Sequence, residues 1–385
     1  MALTALNDYI ADAADNKEYV ISIFIDLCKA FDTVDHKILS AKLHAYGIRG
    51  VTQNLLINYL SNRKQVVKIN NITSTRAVIN CGVPQGSILG PTLFLIYIND
   101  LVNSSDLFKF ILFADDTTLL AKGKFLADLK NQVNSHLRYI SDWFCCNKLS
   151  LNLSKTKFLL FKHGHSGIED NFHLYINNDK LSRARNAKFL GVTIDDNFSW
   201  KSNINYVIHK ISYVVSLLGR IRYKINSKIA VMLYNTLILP HITYCNVVWT
   251  NTHVTHLHKL VTLQRRAINI SIGKPLPGIE VGTRLLNIIG LYKLECLKFL
   301  FKSKSNMLPT FFNNCFSQNL NVHDYNTRNR SNLQNTYSRT CFKKFTIKIS
   351  GPNLWNELPF HIKSEKSFGK FVRQSKMYLS TLYAV

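Results

Sequence analysis

Two adjacent carboxylates, Asp115 and Asp116, lie inside the apolar stretch LFKFILFADDTTLLAKG. The flanks read as buried strands and the acids as the turn between them. Side chains alternate faces along a strand, so neighbouring acids converge on one point only where the chain turns. A turn does not need such a pair, and a divalent cation would offset its repulsion. A solvated hairpin tip is the other reading. A third carboxylate stands about ninety residues earlier, in YVISIFIDLCKAFDTVDHKIL. There the β-branched run Val20 to Ile25 predicts a strand that delivers Asp26 to its end, before a polar, helix-opening stretch. Three acids from two strand ends are the donor set of a two-metal phosphoryl-transfer site, whose ions sit about 3.5–4 Å apart and clamp the attacking and leaving oxygens. Hard oxygen ligands select magnesium or manganese.

The elements that must position these acids can be read around them. Between the two segments runs CGVPQGSILGPTLFLIYINDL, where Gly82, Pro84 and Gly86 mark a tight loop. Leu89 to Leu101 form an apolar run of helix length starting near Pro91. Such a loop brings its backbone and Gln85 close to a ligand, although alone it also fits an ordinary turn before a buried helix.

The order and spacing of these segments resemble the reverse transcriptases of non-LTR retrotransposons, most closely the jockey-like LINE elements. Five palm motifs carry the likeness: FIDLCKAFDTVDH, GVPQGSILGPTLF, FADD, NLSKTKFLLF and NAKFLGVTIDD. The match is close over roughly residues 19 to 200. It continues more weakly through Trp249, LQRRAINI and GPNLWNELP.

The resemblance implies RNA-directed DNA synthesis on a polymerase palm, with RNA template, DNA primer and deoxynucleoside triphosphates as partners and two magnesium ions, or manganese, as cofactor. Asp26 and Asp115 would bind both metals, Asp116 would be the third acid, and the Leu27 carbonyl would add a neutral oxygen ligand. Phe31, five residues after Asp26, matches the aromatic steric gate that occupies the space of a ribose 2′-hydroxyl; on its own it equally fits a buried aromatic opening a helix. Gln85 and Gly86 would lie against the nascent base pair. Lys155 aligns with the lysine proposed to protonate departing pyrophosphate, with a surface lysine after a turn as the alternative. Phe189, Leu190 and Gly191 match the primer grip, and Val192 to Ile194 alternate as a strand. The second acidic pair, Asp195 and Asp196, reads as a solvated turn and is assigned no metal.

The net charge of +25 is unevenly spread. Residues 1 to 200 hold 22 Lys and Arg against 18 Asp and Glu, net +4, and residues 201 to 385 hold 26 against 5, net +21. An acidic catalytic half followed by a basic half suits metals in one place and phosphates in the other. In the basic half, Ile204, Val207, Ile208, Ile211, Val214, Val215, Leu218 and Ile221 recur at helical spacing, with Lys210, Arg220, Arg222 and Lys224 polar. A second helix is expected through Leu257, Leu260, Val261, Gln264 and Ile268, carrying Arg265 and Arg266, and a third over about Arg284 to Lys302. These suit either a helical thumb gripping template and primer or a bundle with solvated basic faces. From about Asn306 the tail mixes basic and aromatic residues, in YNTRNRSN, YSRTCFKKFTIKI and GPNLWNELPFHI. Trp355 reads as core, while Phe360, Phe368 and Phe371 fit core or base stacking equally.

The expected architecture is therefore α+β. A palm of antiparallel sheet backed by helices occupies residues 1–200, a helical thumb-like region 201–305, and a small basic C-terminal module 306–385. The first residues carry no signal segment, and no apolar run is long enough to span a membrane, so an intracellular protein is expected, in cytoplasm and nucleus for a retrotransposon enzyme. Eight cysteines are scattered without a CxxC pair, which argues for reduced thiols rather than a disulfide framework. Cys245, His253, His256 and His258 cluster, but at a spacing that fits no common zinc finger. About 25 residues precede Asp26, too few for the fingers region the family places there, and the family's endonuclease is missing too. A second function class follows from that: a truncated, inactive remnant that binds nucleic acid without polymerising.

Overall fold

Helix α1 (Ala2–Asp15) leads into strand β1 (Tyr19–Ile25), formed by the apolar run YVISIFI. A computed structural model describes residues 1–162, 172–272, 285–312, 315–319 and 332–383. Two compact units divide the chain, Lys17–Ala187 and Met1–Asn16 with Lys188–Val385. By compactness the boundary falls at residue 187, and α1 belongs to the second unit.

The first unit is built on a five-stranded sheet. Besides β1 it contains β2 (Lys109–Phe113), β3 (Asp116–Gly123), β4 (Lys157–Phe161) and β5 (Ser182–Arg183), in the order β5-β4-β1-β3-β2. All pairings are antiparallel except β4 with β5. The register places Ile25 opposite Thr117 and Phe24 opposite Lys157. Ile21, Ile23 and Ile25 point from alternate positions of β1 into one core with Leu119, Ala121, Phe158 and Leu160.

Helices cover that face: α2 (His36–Ala45), α3 (Gly50–Leu60), α4 (Leu89–Ile98) and α5 (Leu126–Cys146). α2 starts where Asp35 caps it, its Oδ1 accepting from the backbone N–H groups of Lys37 at 2.8 Å and Ile38 at 3.0 Å. α4 is apolar nearly all round and buries Leu93, Phe94, Tyr97 and Ile98. It begins at Leu89, with Pro91 in its first turn, and gives way at Asn99 to a 3₁₀ segment that ends at Ser104. α5 buries Leu129, Val133, Leu137, Ile140 and Phe144, a single stripe at spacings of three and four. Each such side chain contributes about 1.5–3 kcal/mol by leaving water.

A hairpin, β6 (Asn186–Phe189) and β7 (Val192–Asp195), spans the boundary, and the described residues of the second unit beyond it are mostly helical. Its larger helices are α6 (Lys201–Ile221), α7 (Ser227–Leu237), α8 (Val254–Ile272), α9 (Ile288–Lys304), α10 (Ile347–Asn356) and α11 (Phe368–Tyr383). The expected stripe on α6 is real for Ile204, Val207, Ile211, Val215 and Leu218, which are buried. α8 packs against α6 and α7, and α9 against α10 and α11. The expected third helix begins at Ile288, and Arg284 lies outside the described residues. Trp355 is buried and stacks on Phe371, ring centroids 5.7 Å apart. Phe371 is core as well, and Phe360 is exposed. All of YNTRNRSN except Asn332 falls outside the described residues.

Carboxylates of α1 hold the segment before α10. Asp15 Oδ1 accepts from the backbone N–H groups of Arg339 and Thr340, each at 2.8 Å, and Asp15 Oδ2 lies 3.2 Å from Lys343 Nζ. Lys348 Nζ approaches Asp8 at 3.7 Å and Asp12 at 3.6 Å. The fold class is α+β, an antiparallel sheet backed by helices and followed by a largely helical region.

Candidate active site

The acidic pair stands at a two-residue hairpin. Phe113 pairs with Asp116, leaving Ala114 and Asp115 as the turn between β2 and β3. Ala114 has φ +52, a left-handed conformation that L residues other than glycine seldom adopt and that a tight primed hairpin turn requires. Asp115 therefore sits at the tip and Asp116 opens β3. Both side chains are exposed, while Thr117 and Thr118 behind them are buried.

Asp26 follows the last residue of β1. Because Ile25 pairs with Thr117, one further step of the antiparallel register sets Asp26 opposite Asp116. Its backbone is fixed from the other side: Asn152 N–H donates to the Asp26 carbonyl at 2.9 Å, and Asp26 N–H donates to Thr156 Oγ1 at 3.3 Å. Asn152 to Thr156 form the turn that carries Lys155, whose Nζ comes within 3.9 Å of Asp26 Oδ2. Leu27 and Leu151 form an antiparallel bridge through the Asp26 carbonyl and the Cys28 N–H. Peptide groups alternate along an extended chain, so the Leu27 carbonyl turns away from Leu151, toward the side of the sheet where β3 lies.

Loss of surrounding water, then the negative charges of Asp115 and Asp26, raise the Asp116 carboxyl above the usual carboxylate range. A cation placed among the three acids would relieve that penalty, and their oxygen chemistry fits magnesium or manganese. Among the described residues, no three or more His, Cys, Asp or Glu side chains close around a point tightly enough to hold an ion unaided. Magnesium does not need such a cage, since it keeps several waters and takes one or two carboxylates together with substrate phosphates.

The glycine loop is stitched to the segment after Asp26. Gly82 N–H donates to Val34 O at 2.7 Å, Val83 N–H donates to Phe31 O at 2.8 Å, and His36 Nε2 lies 2.7 Å from Gly82 O. Gly82 has φ +88, and a Cβ there would come within 2.7 Å of the Asp32 carbonyl oxygen, so no larger residue permits this approach. Phe31 is half-buried against Phe94. Gln85 and Gly86 are exposed at the loop tip, Gly86 with φ +78, and Gln85 Nε2 donates to Asp32 Oδ1 at 2.9 Å.

Several supporting residues escaped the sequence reading. The buried Tyr97 hydroxyl donates to the Asn147 carbonyl at 2.6 Å and accepts from Asp35 N–H at 3.4 Å. Asp35 pairs with Lys148 at 2.7 Å. That ammonium first, and the backbone donors of α2 with it, hold its carboxyl below the usual range. Lys42 bonds Asp100 at 2.6 Å and lies over the rings of Tyr97 and Trp143. Burial lowers its ammonium pKa, partly offset by Asp100. The recognisable signal was Asp35 standing one residue ahead of a helix; the partners came from distant elements.

Phe189, Leu190 and Gly191 form the β6–β7 turn in the second unit. Phe189 is buried, and Leu190 and Gly191 both have positive φ, +46 and +82, as a two-residue hairpin turn of this kind requires. Tyr244 Oη donates to the Leu190 carbonyl at 2.7 Å. The solvated-turn reading needs correction at Asp195, which is buried and accepts from Ser199 N–H at 2.5 Å and Ser199 Oγ at 2.9 Å. It closes the turn that leads into α6, in which Phe198 and Trp200 pack ring on ring at 5.2 Å. In the Cys245 cluster, burial pushes the thiol up, and His253 and His256 stack edge to face at 5.7 Å.

The family model for reverse transcriptase (RNA-dependent DNA polymerase) matches residues 2–194, about half of the chain. The RNA-directed DNA polymerase from mobile element jockey of Drosophila funebris is 27% identical over 70% of this chain and 30% of its own length. The probable RNA-directed DNA polymerase from transposon BS of Drosophila melanogaster is 25% identical over 75% of this chain and 33% of its own. The chain thus spans about a third of the length of these curated relatives. A telomerase from Candida albicans, solved with a fragment of telomeric RNA, is 12% identical, covers 69% of this chain and 50% of its own, and superposes at a TM-score of 0.33, too low to carry weight. With five ordered motifs and the family match spanning the whole sheet, the chain belongs to the reverse transcriptase family, its relatives being the polymerases of jockey-like non-LTR elements.

Proposed function

We propose that this chain is the polymerase part of a non-LTR retrotransposon protein and transfers nucleotides from deoxynucleoside triphosphates to a primer 3′-hydroxyl on an RNA template. The observation that carries this reading is that Asp26 directly follows β1 where it pairs with β3, whose first residue is Asp116, with Asp115 in the adjoining turn and Lys155 beside Asp26. Asp26, Asp115, Asp116 and the Leu27 carbonyl would hold the metal pair. Two bound magnesium ions, or manganese, would favour the deprotonated primer hydroxyl and stabilise the leaving pyrophosphate.

The chain's own groups supply the rest. Phe31 bounds the sugar site, Gln85 and Gly86 bound the base pair, and Lys155 donates a proton to the departing pyrophosphate. Phe189, Leu190 and Gly191 steady the primer. Residues 1–200 act as palm, 201–305 as thumb and 306–385 as a basic module. The 26 Lys and Arg beyond residue 200 track template and primer phosphates. The retrotransposon reading places the enzyme in cytoplasm and nucleus; among the described residues no helix is long and apolar enough to cross a membrane. Primer extension on RNA with magnesium, comparing the parent chain with Asp115→Asn, tests the proposal. Synthesis lost in the variant supports it. Template binding without synthesis by the parent refutes it for this chain.

A further inference from the structure

Asp32 belongs to no acid group assigned above, yet it is the partner of the residue that would face the base pair. Its Oδ1 accepts from Gln85 Nε2 at 2.9 Å across 53 residues of sequence. Three backbone contacts hold the two segments in the register that makes this bond possible. Val34 O and Phe31 O accept from Gly82 N–H and Val83 N–H, and Gly82 packs on the Asp32 backbone so closely that a Cβ would collide. The bond therefore joins elements that are already fixed, so it costs little ordering entropy.

An unrestrained glutamine amide can turn its oxygen and nitrogen end for end, and either end can meet a base in the groove. A carboxylate accepts only, so it selects one orientation: Nε2 toward Asp32, with Oε1 left free as an acceptor. Asp32 also directly follows Phe31, so the residue that bounds the sugar and the residue that orients the amide are consecutive on one 3₁₀ turn, Ala30–Asp32. We infer that Asp32 is a positioning residue that fixes the Gln85 amide for reading the incoming base pair. This inference rests on the polymerase reading above.

The test uses the full chain, the single variants Asp32→Ala, Asp32→Asn and Gln85→Leu and the double variant Asp32→Ala with Gln85→Leu, with steady-state incorporation of matched and mismatched nucleotides. Because the bond is solvent-exposed, Asp32→Ala should raise the KM for the matched nucleotide and lower discrimination by about fivefold, with kcat within about twofold. Asp32→Asn keeps a partner for Gln85 but both donates and accepts, so it no longer selects one orientation and should recover part of the KM while leaving discrimination low. Adding Asp32→Ala to Gln85→Leu should do no further harm, since the group being positioned is already gone. Full discrimination in Asp32→Asn would overturn the inference, since the amide cannot select one orientation, as would multiplicative losses in the double variant. A second readout needs no catalysis. In protein labelled with 15N-glutamine, the Gln85 side-chain resonance, identified by its loss in Gln85→Leu, should shift in Asp32→Ala, and an unmoved signal also overturns the inference. A parent chain that does not extend a primer refutes the polymerase reading, whereas the resonance still decides the contact.

Discussion

The ring of Phe31 rests on the ring of Phe94, centroids 4.6 Å apart and planes inclined by 31°. Phe94 is fully buried in α4, so the ring that would bound the sugar is backed by a rigid wall rather than by solvent. A steric gate works only if it cannot yield. Phe31→Val should raise ribonucleotide relative to deoxynucleotide incorporation by about 10- to 100-fold. Phe94→Leu, which leaves Phe31 in place but softens its support, should give a smaller rise. Single-nucleotide incorporation with each triphosphate checks both, and unchanged sugar selection in an active Phe31→Val preparation rules the gate out.

Asp115→Asn should abolish synthesis while leaving RNA binding and its salt dependence largely intact. Asp115 stands at an exposed turn, so the isosteric change leaves packing untouched. On the proposed reading, the basic residues beyond 200 would set the salt slope independently of it. Filter binding across a salt series beside a primer-extension assay makes the comparison, and retained synthesis removes Asp115 from the metal site.

The strands and acids of the first unit were legible because each rests on a local signal. Val20 to Ile25 is rich in β-branched residues, Asp26 ends the run, and Asp115–Asp116 interrupts two apolar segments. What the sequence hid was the scaffolding made by pairs distant in the chain, such as Tyr97 with Asn147, Gln85 with Asp32 and Asp15 with Thr340. No periodicity encodes these, since each depends on tertiary placement. Asp195 shows the same limit: an Asp-Asp-Asn turn reads as solvated, yet its carboxylate is buried and accepts from Ser199 N–H and Oγ. The three-part division read from composition and helical spacing likewise could not foresee that α1 joins the helical unit through contacts more than 300 residues apart.

Magnesium affinity should fall on acidification, beginning above the ordinary carboxylate range. Asp116 is held protonated to higher pH than usual by lost hydration and by its acidic neighbours, so an ion must displace that proton in order to bind. Magnesium should therefore raise the thermal midpoint more at pH 7.5 than at pH 5. Asp116→Asn should flatten this difference by removing the titrating group. Equal magnesium stabilisation at both pH values in the parent would contradict the coupling.

Tyr97→Phe should cost about 1–2 kcal/mol, because it leaves the Asn147 carbonyl without its buried donor. Burial pushes the Tyr97 phenol up to about 12, so this contribution does not vary across the neutral range. The Lys42 ammonium keeps its aromatic face in the variant, so the loss isolates the hydroxyl. Urea unfolding measures it. A change below about 0.3 kcal/mol would show that the hydroxyl holds neither Asn147 nor the Asp35 segment.

The attachment of α1 to the segment before α10 should weaken in acid, with Asp15 as the sensor. Burial alone would push this carboxyl up, but the Thr340 N–H, the Lys343 ammonium and the Arg339 N–H together outweigh it and hold it below its ordinary value of 3.8. A depressed carboxylate contributes stability that is fully present above the unfolded pKa and is lost as pH falls through the folded pKa. The window therefore runs downward from about pH 4–5 and leaves neutral pH untouched. Asp15→Ala should destabilise the chain by about 2 kcal/mol at pH 7, the worth of a nearly buried carboxylate with charged and backbone donors. At pH 3 the gap between parent and variant should narrow, since the parent has begun to lose the same bonds. Chemical unfolding of both proteins at the two pH values decides it: a gap of equal size at pH 3 and pH 7 would mean that Asp15 acts through packing and not through its charge.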